Sequence, residues 1–269
     1  VKRFLPVEEL ARDERFIRSD LAEGFADPRN GRVRDRTIST ARLQPDRAAA
    51  PDRARSLMHG IFVGEIQALE AAGRTTFDFD DADAPFALKL DMARQCWDES
   101  RHVEISVKLG EHMGTEIGEY TEATFLYEAA CVTDPAMRLA GVNRALEGLA
   151  IDVFNTMKDF GEASGDPVLQ FCEDWMLADE VTHVKMGSDW LRRLTERDPE
   201  RRERALEFQR AVDKLFSLGG FRGETDESPI QIARRFRELA GFDTKEIDEI
   251  AGLAAESIAE TRALLGKTG

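Results

Sequence analysis

The pattern Asp-Glu-x-x-His-Val occurs twice, as Asp98-Glu99-Ser100-Arg101-His102-Val103 and as Asp179-Glu180-Val181-Thr182-His183-Val184, in a chain with only four histidines. A glutamate and a histidine three residues apart share one face of an α-helix, with Cβ atoms about 5–6 Å apart, so both can reach one point beside it. A further glutamate precedes each copy at nearly the same distance: Glu65 lies 34 residues before Glu99, and Glu147 lies 33 before Glu180. The halves therefore read as an internal duplication in register, and the fold has to bring two such faces together.

Apolar residues recur at helical spacing around all four positions. The spacing predicts helices over 54–73, 86–114, 136–161 and 167–198, the last two launched by Asp134-Pro135 and Asp166-Pro167, with proline suited to a first helical turn. The 115–134 connection is long enough to cross the length of a bundle, whereas the other two connections are short, which suits a helical bundle with one long crossover. Before it, residues 7–25 read as an amphipathic helix and the rest of 1–53 as an irregular arm carrying Arg29, Arg32, Arg34, Arg36, Arg42, Arg47 and Arg53, a basic run that continues to Arg55. The main body is 54–197, and 198–269 reads as a helical extension of three more helices. No stretch alternates with period two for long enough to argue a sheet, so the fold class is all-α.

Four carboxylates buried together repel one another unless cations lie between them, and neutral imidazoles complete an N/O donor set suited to iron or manganese. The candidate ligands are Glu65, Glu99, His102, Glu147, Glu180 and His183. One Glu from each of two helices plus Glu-x-x-His from each of two others is the arrangement of ferritin-like di-iron and di-manganese proteins. Over residues 54–197 the sequence resembles that ferritin-like di-iron carboxylate superfamily, and the order Glu, Asp-Glu-x-Arg-His, Glu, Asp-Glu-x-x-His looks like its oxygen-activating branch, which includes multicomponent monooxygenases and tRNA hydroxylases. The resemblance implies a ferritin-like four-helix bundle with two Fe ions, Mn/Fe or Mn/Mn being the alternatives, and O2 as co-substrate. It implies Glu99 and Glu180 as bridges, Glu65 and His102 on one ion, and Glu147 and His183 on the other. Two positions depart from relatives: Ser106 stands where some carry a radical-forming tyrosine, and Ile151 where multicomponent monooxygenases often carry a threonine.

Asp98 and Asp179 are candidates to accept a hydrogen bond from a ligand imidazole, and Arg101 to pair with one of them. Cys96, one turn before Glu99, and Glu173, seven residues before Glu180, fall on or near the inner face. Asn143 and Arg144, one turn before Glu147, are candidates to anchor a substrate carboxylate. His59 and His112 lack the spacing and read as polar positions near helix ends.

Thirty-seven Lys and Arg against 52 Asp and Glu leave a net charge of −15, which repels nucleic acid and anionic lipid. No apolar run approaches the roughly 18 residues of a membrane span, and three cysteines without Cys-x-x-Cys spacing indicate neither a disulfide framework nor a zinc ribbon. A cytoplasmic oxidoreductase acting on a small molecule is the leading expectation. The chain has no flavin, nicotinamide or cysteine-cluster motif, so an external ferredoxin or reductase is implied as electron donor. Iron oxidation for storage, a di-manganese catalase-like activity and tRNA hydroxylation are the other readings, and a homodimer contact is one role open to the extensions.

Overall fold

The computed structural model describes residues 16–17, 50–79, 82–115, 117–120, 122–123, 125–217, 222–223 and 230–265. They are mostly helical, as the all-α reading expects. Helix α1 spans Ala50–Phe77, α2 Phe86–Met113, α3 Phe125–Ala129 and α4 Pro135–Arg138. A π-helical stretch, Leu139–Leu146, continues α4 without a break in helical backbone and runs into α5, Glu147–Ser164. Then come α6, Pro167–Leu194, α7, Pro199–Ser217, α8, Arg234–Leu239, and α9, Thr244–Leu265.

The termini of the long helices follow from identifiable residues. Asp166 Oδ1 accepts from the backbone N–H groups of Val168 and Leu169 at 3.1 and 3.0 Å, and Asp134 Oδ1 accepts from that of Ala136 at 2.7 Å, so each aspartate before proline caps its helix. Helices α2 and α5 end on left-handed glycines, Gly114 at φ 76° and Gly165 at φ 71°. Gly161, predicted as a terminus, lies inside α5. A Cβ there would press on the backbone of Gln170, so this glycine serves the close approach of α5 and α6 instead.

Helix α1 packs along α2, and α5 along α6; α2 then meets α6, and α1 meets α5. Two apolar layers show the directions. One holds Met58 and Ile61 of α1, Leu109 of α2, Ile151, Phe154 and Met157 of α5, and Leu169 and Met176 of α6. The other holds Phe79 just beyond α1, Leu88 and Met92 of α2, Leu139 before α5, and Trp190 and Leu191 of α6. Neighbouring helices are therefore antiparallel, and the segment from Gly114 to Asp134 has to return from the first layer to the second. The glutamates and histidines of the repeat fall between the two layers.

Two short parallel pairings accompany the helices, β1 (Phe16–Ile17) with β2 (Glu122–Ala123) and β3 (Arg222–Gly223) with β4 (Ile230–Gln231). Phe16 and Ile17 are thus extended where the pattern predicts helix, because they add to a strand in the crossover. The rest of the predicted 7–25 helix, and the arginine-rich arm as far as residue 49, lie outside the described residues. Helix α1 starts four residues before the predicted Ala54, and within it Arg55 pairs with Glu119 at 2.6 Å. Helix α8 is clamped to α5 by a fully buried ion pair. Arg237 donates from Nε and Nη2 to both oxygens of Asp152 and from Nη2 to the carbonyl of Gly148 at 2.6 Å. Among the described residues no helix is long and apolar enough to cross a membrane, and no disulfide joins Cys96, Cys131 and Cys172.

Candidate metal centre

Helix α2 sets Glu99 and His102 one turn apart on its inner face, and α6 does the same for Glu180 and His183; α1 adds Glu65 and the start of α5 adds Glu147. All six are at most 5% exposed. Nδ1 of His102 lies 3.0 Å from Glu65 Oε2 and 3.2 Å from both Glu99 Oε2 and Glu180 Oε1. Nδ1 of His183 lies 3.2 Å from Glu99 Oε1 and 3.5 Å from Glu180 Oε1. Two groups of donor atoms, each within 4.8 Å of one another, result: Glu65, Glu99, His102 and Glu180, and Glu99, Glu147 and His183. Glu99 belongs to both, and either group can hold a metal ion.

The far side of each imidazole is held from the opposite helix. Asp98 on α2 faces Nε2 of His183 through Oδ2 at 3.3 Å, and Asp179 on α6 faces Nε2 of His102 at 3.3 Å. Arg101 ties the two aspartates together, with Nη2 on Asp98 and 3.3 Å from Asp179. In a neutral imidazole this exchange favours the proton on Nε2 and leaves Nδ1, which faces the carboxylates, with the lone pair a metal ligand needs. The guanidinium of Arg101 also lies over the ring of Trp175, 4.6 Å from its centroid, and Trp175 meets the edge of His102.

The protein supplies too few donors for these carboxylates. Both oxygens of Glu180, Oε2 of Glu99 and Nδ1 of His183 have no hydrogen bond of acceptable geometry. Burial pushes the Glu65 carboxyl up to about 8 and that of Glu147 well above the usual range, with repulsion from Glu99 and Glu180 adding to both. Burial would raise Glu99 too, but the charge of His183 and the close approach of both imidazoles hold it well below the ordinary carboxylate range. Burial alone would lower the two histidines. The closeness of His102 to Asp179, Glu180, Glu65 and Glu99, and attraction of His183 to Glu99 together with its bond to Asp98, raise both instead. Without metal, protons balance the cluster, with Glu65 and Glu147 held protonated and both imidazoles charged. With the imidazoles neutral and all four carboxylates ionised, two divalent cations offset the four negative charges. The donor set therefore fits a pair of divalent ions.

Gln95, which motif reading missed, is an amide one turn before Glu99. Its Nε2 donates to Glu99 Oε1 at 3.1 Å and to Glu147 Oε1, and its Oε1 accepts from Asn143 Nδ2 at 2.8 Å. Asn143 also donates to Glu147 Oε2 at 3.2 Å. The only available signal was the i, i−4 spacing, which nothing distinguishes from an ordinary polar position. Asn143 is pressed into place by Gly187 of α6, where an added Cβ would overlap the asparagine Cβ. Both Asn143 and Glu147 depend on the π-helical stretch, whose wider turn ends at Glu147; such turns recur at functional sites.

The other predicted pocket residues lie as follows. Arg144 directs all three guanidinium nitrogens to protein partners, Gln209 Oε1 at 2.9 Å, Ser188 Oγ and Glu246 Oε1 at 2.5 Å, and so ties α7, α6 and α9 together. Cys96 faces α1, with Sγ 3.7 Å from the Leu69 carbonyl. Glu173 is fully buried on α6. His112 is at the end of α2, 2.7 Å from Asp166, whereas His59 is buried inside α1 and accepts from the Gly118 N–H at 3.1 Å.

A family model described as protein of unknown function (DUF455) matches residues 8–248. The chain belongs to this family. The DUF455 match takes in both Glu-x-x-His pairs, both preceding glutamates, α7, α8 and the first residues of α9, Glu246 among them. No curated protein and no solved structure matches the chain.

Proposed function

We propose that this chain is a ferritin-like four-helix-bundle protein that holds two iron ions and uses O2 to oxidise a small organic substrate. The observation that carries the reading is the reciprocal pairing of Asp98 with His183 and Asp179 with His102 around two overlapping donor groups. A structural salt-bridge cluster has no need to present both Nδ1 atoms to unsatisfied carboxylates. Bound iron would supply the redox chemistry and the activation of O2; manganese fits the same donors.

The chain's own residues bind, orient and exclude water. Glu65, Glu99, His102 and Glu180 would hold one ion, and Glu99, Glu147 and His183 the other. Asp98, Asp179 and Arg101 fix the imidazole rings, while Gln95 and Asn143 fix Glu147. The apolar layers above and below, with Phe154, Ile151 and Met176 on one side and Leu88, Met92 and Leu139 on the other, keep bulk water from the centre. A separate ferredoxin or reductase would return electrons.

The test is O2 uptake by anaerobically Fe(II)-loaded protein. Uptake faster than that of the same concentration of free Fe(II), and lost in Glu99→Ala, supports the reading; uptake no faster than free iron contradicts it.

A further inference from the structure

Glu173 is a buried acid near the centre that the ligand set does not use and that, unlike Asp98 with Arg101, has no base beside it among the described residues. It is 0% exposed and lies two turns before Glu180 on α6. Neither carboxylate oxygen has a hydrogen-bond partner. Burial holds its carboxyl well above the ordinary range, with repulsion from Glu65 adding to this and attraction to His102 opposing it. It is absent from both close donor groups, so it acts on the centre through its field rather than as a seventh ligand. The opposite flank is built differently. There the amides of Gln95 and Asn143 donate to both oxygens of Glu147, whereas Glu65 has His102 as its hydrogen-bond partner. The Glu65 flank also gathers four donors against three.

We propose that Glu173 makes the halves of the centre unequal, so that the half built on Glu65 and His102 takes the first divalent cation and binds it more tightly than the half built on Glu147 and His183. This rests on the two-metal reading above. A cation entering the half beside Glu173 displaces the proton that burial keeps on it and so gains a nearby negative charge in a low-dielectric interior, whereas amide donors on a carboxylate compete with a cation for its lone pairs. The half that is least satisfied by protein is the one that gains most from an ion.

Mn(II) titration of the full chain tests this, followed by calorimetry with a competing chelator and by the Mn(II) electron paramagnetic resonance spectrum. Wild type should bind in two resolved steps, the first giving the six-line signal of an isolated ion and the second broadening it. Glu173→Gln and the volume-matched Glu173→Met should weaken the first step by about tenfold or more and the second by much less. Glu147→Gln should keep the tight first step and Glu65→Gln should lose it. The metal-free Glu173 variants should melt no lower than wild type, because they remove an unpaired buried acid. Two ions bound in one unresolved step, a Glu173→Gln titration that matches wild type, or a tight step lost in Glu147→Gln would each overturn the proposal while leaving the two-metal centre intact. No binding by wild type would overturn both.

Discussion

Asp98 and His183 stand 85 residues apart in sequence and meet at 3.3 Å between Oδ2 and Nε2, each on a helix whose own Glu-x-x-His pair belongs to the same centre. Asp179 and His102 repeat the contact with the roles of α2 and α6 exchanged. Each copy of the Asp-Glu-x-x-His motif therefore supplies a glutamate, an imidazole, and the orienting carboxylate for the other copy's imidazole. This explains why the aspartate is part of the repeat.

Replacing either aspartate should weaken metal binding without removing a ligand. Asp98→Asn and Asp179→Asn are each expected to lower Fe(II) or Mn(II) affinity by about 10–100-fold, the usual effect of losing the partner of a ligand imidazole. Chelator-competition titrations measure it. Affinities within a factor of two of wild type would mean that the aspartates are only surface ion-pair partners of Arg101.

Metal binding should strengthen as pH rises. Glu65 keeps its proton up to about 8, and both imidazoles are held protonated above their ordinary value of 6.5, so ions displace protons. The sign for the metal-free protein is opposite. Groups whose folded pKa is raised stabilise the fold most below their unfolded values, 4.5 for Glu65 and 6.5 for the histidines, and lose that contribution as pH rises toward the folded values. Between pH 6.5 and 8.5 the metal-free melting temperature should fall while the increase on adding Mn(II) grows. An increase that shrinks over this range would contradict the assignment.

The buried Asp152–Arg237 pair should matter for stability alone. Arg237→Leu leaves Asp152 inside the fold without its counter-ion, a change that typically costs about 3–5 kcal/mol. Urea denaturation of the metal-free protein measures the loss, and metal stoichiometry at saturating metal should be unchanged. A loss under about 1 kcal/mol would mean that α8 is held mainly by its apolar contacts.

The gathering of the six Glu and His side chains could be read from residue spacing, because side chains that reach one point beside a helix recur at i, i+3 and the duplication repeats them in register. The helices were legible for the same reason. What escaped was whatever lacks a period of its own. Gln95 carries no motif, yet it donates to two of the glutamates. The π turns of Leu139–Leu146 look like ordinary helix in sequence, since nothing in the apolar spacing marks a single wider turn. Gly161 resembled a stop signal but accommodates a neighbouring backbone. Phe16 and Ile17 pair with only two residues, too few for alternation to show. Arg144, next to an inner-face asparagine, turned out to fasten three helices through side chains distant in sequence.

Metal stoichiometry is the most direct test of the central claim. Elemental analysis after anaerobic Fe(II) loading and desalting should find close to two ions per chain in the wild type and a clear loss in Glu99→Ala and His183→Ala. No stoichiometric metal in the wild type, with both variants indistinguishable from it, would contradict the account and leave the buried cluster as a network of protonated acids and histidines.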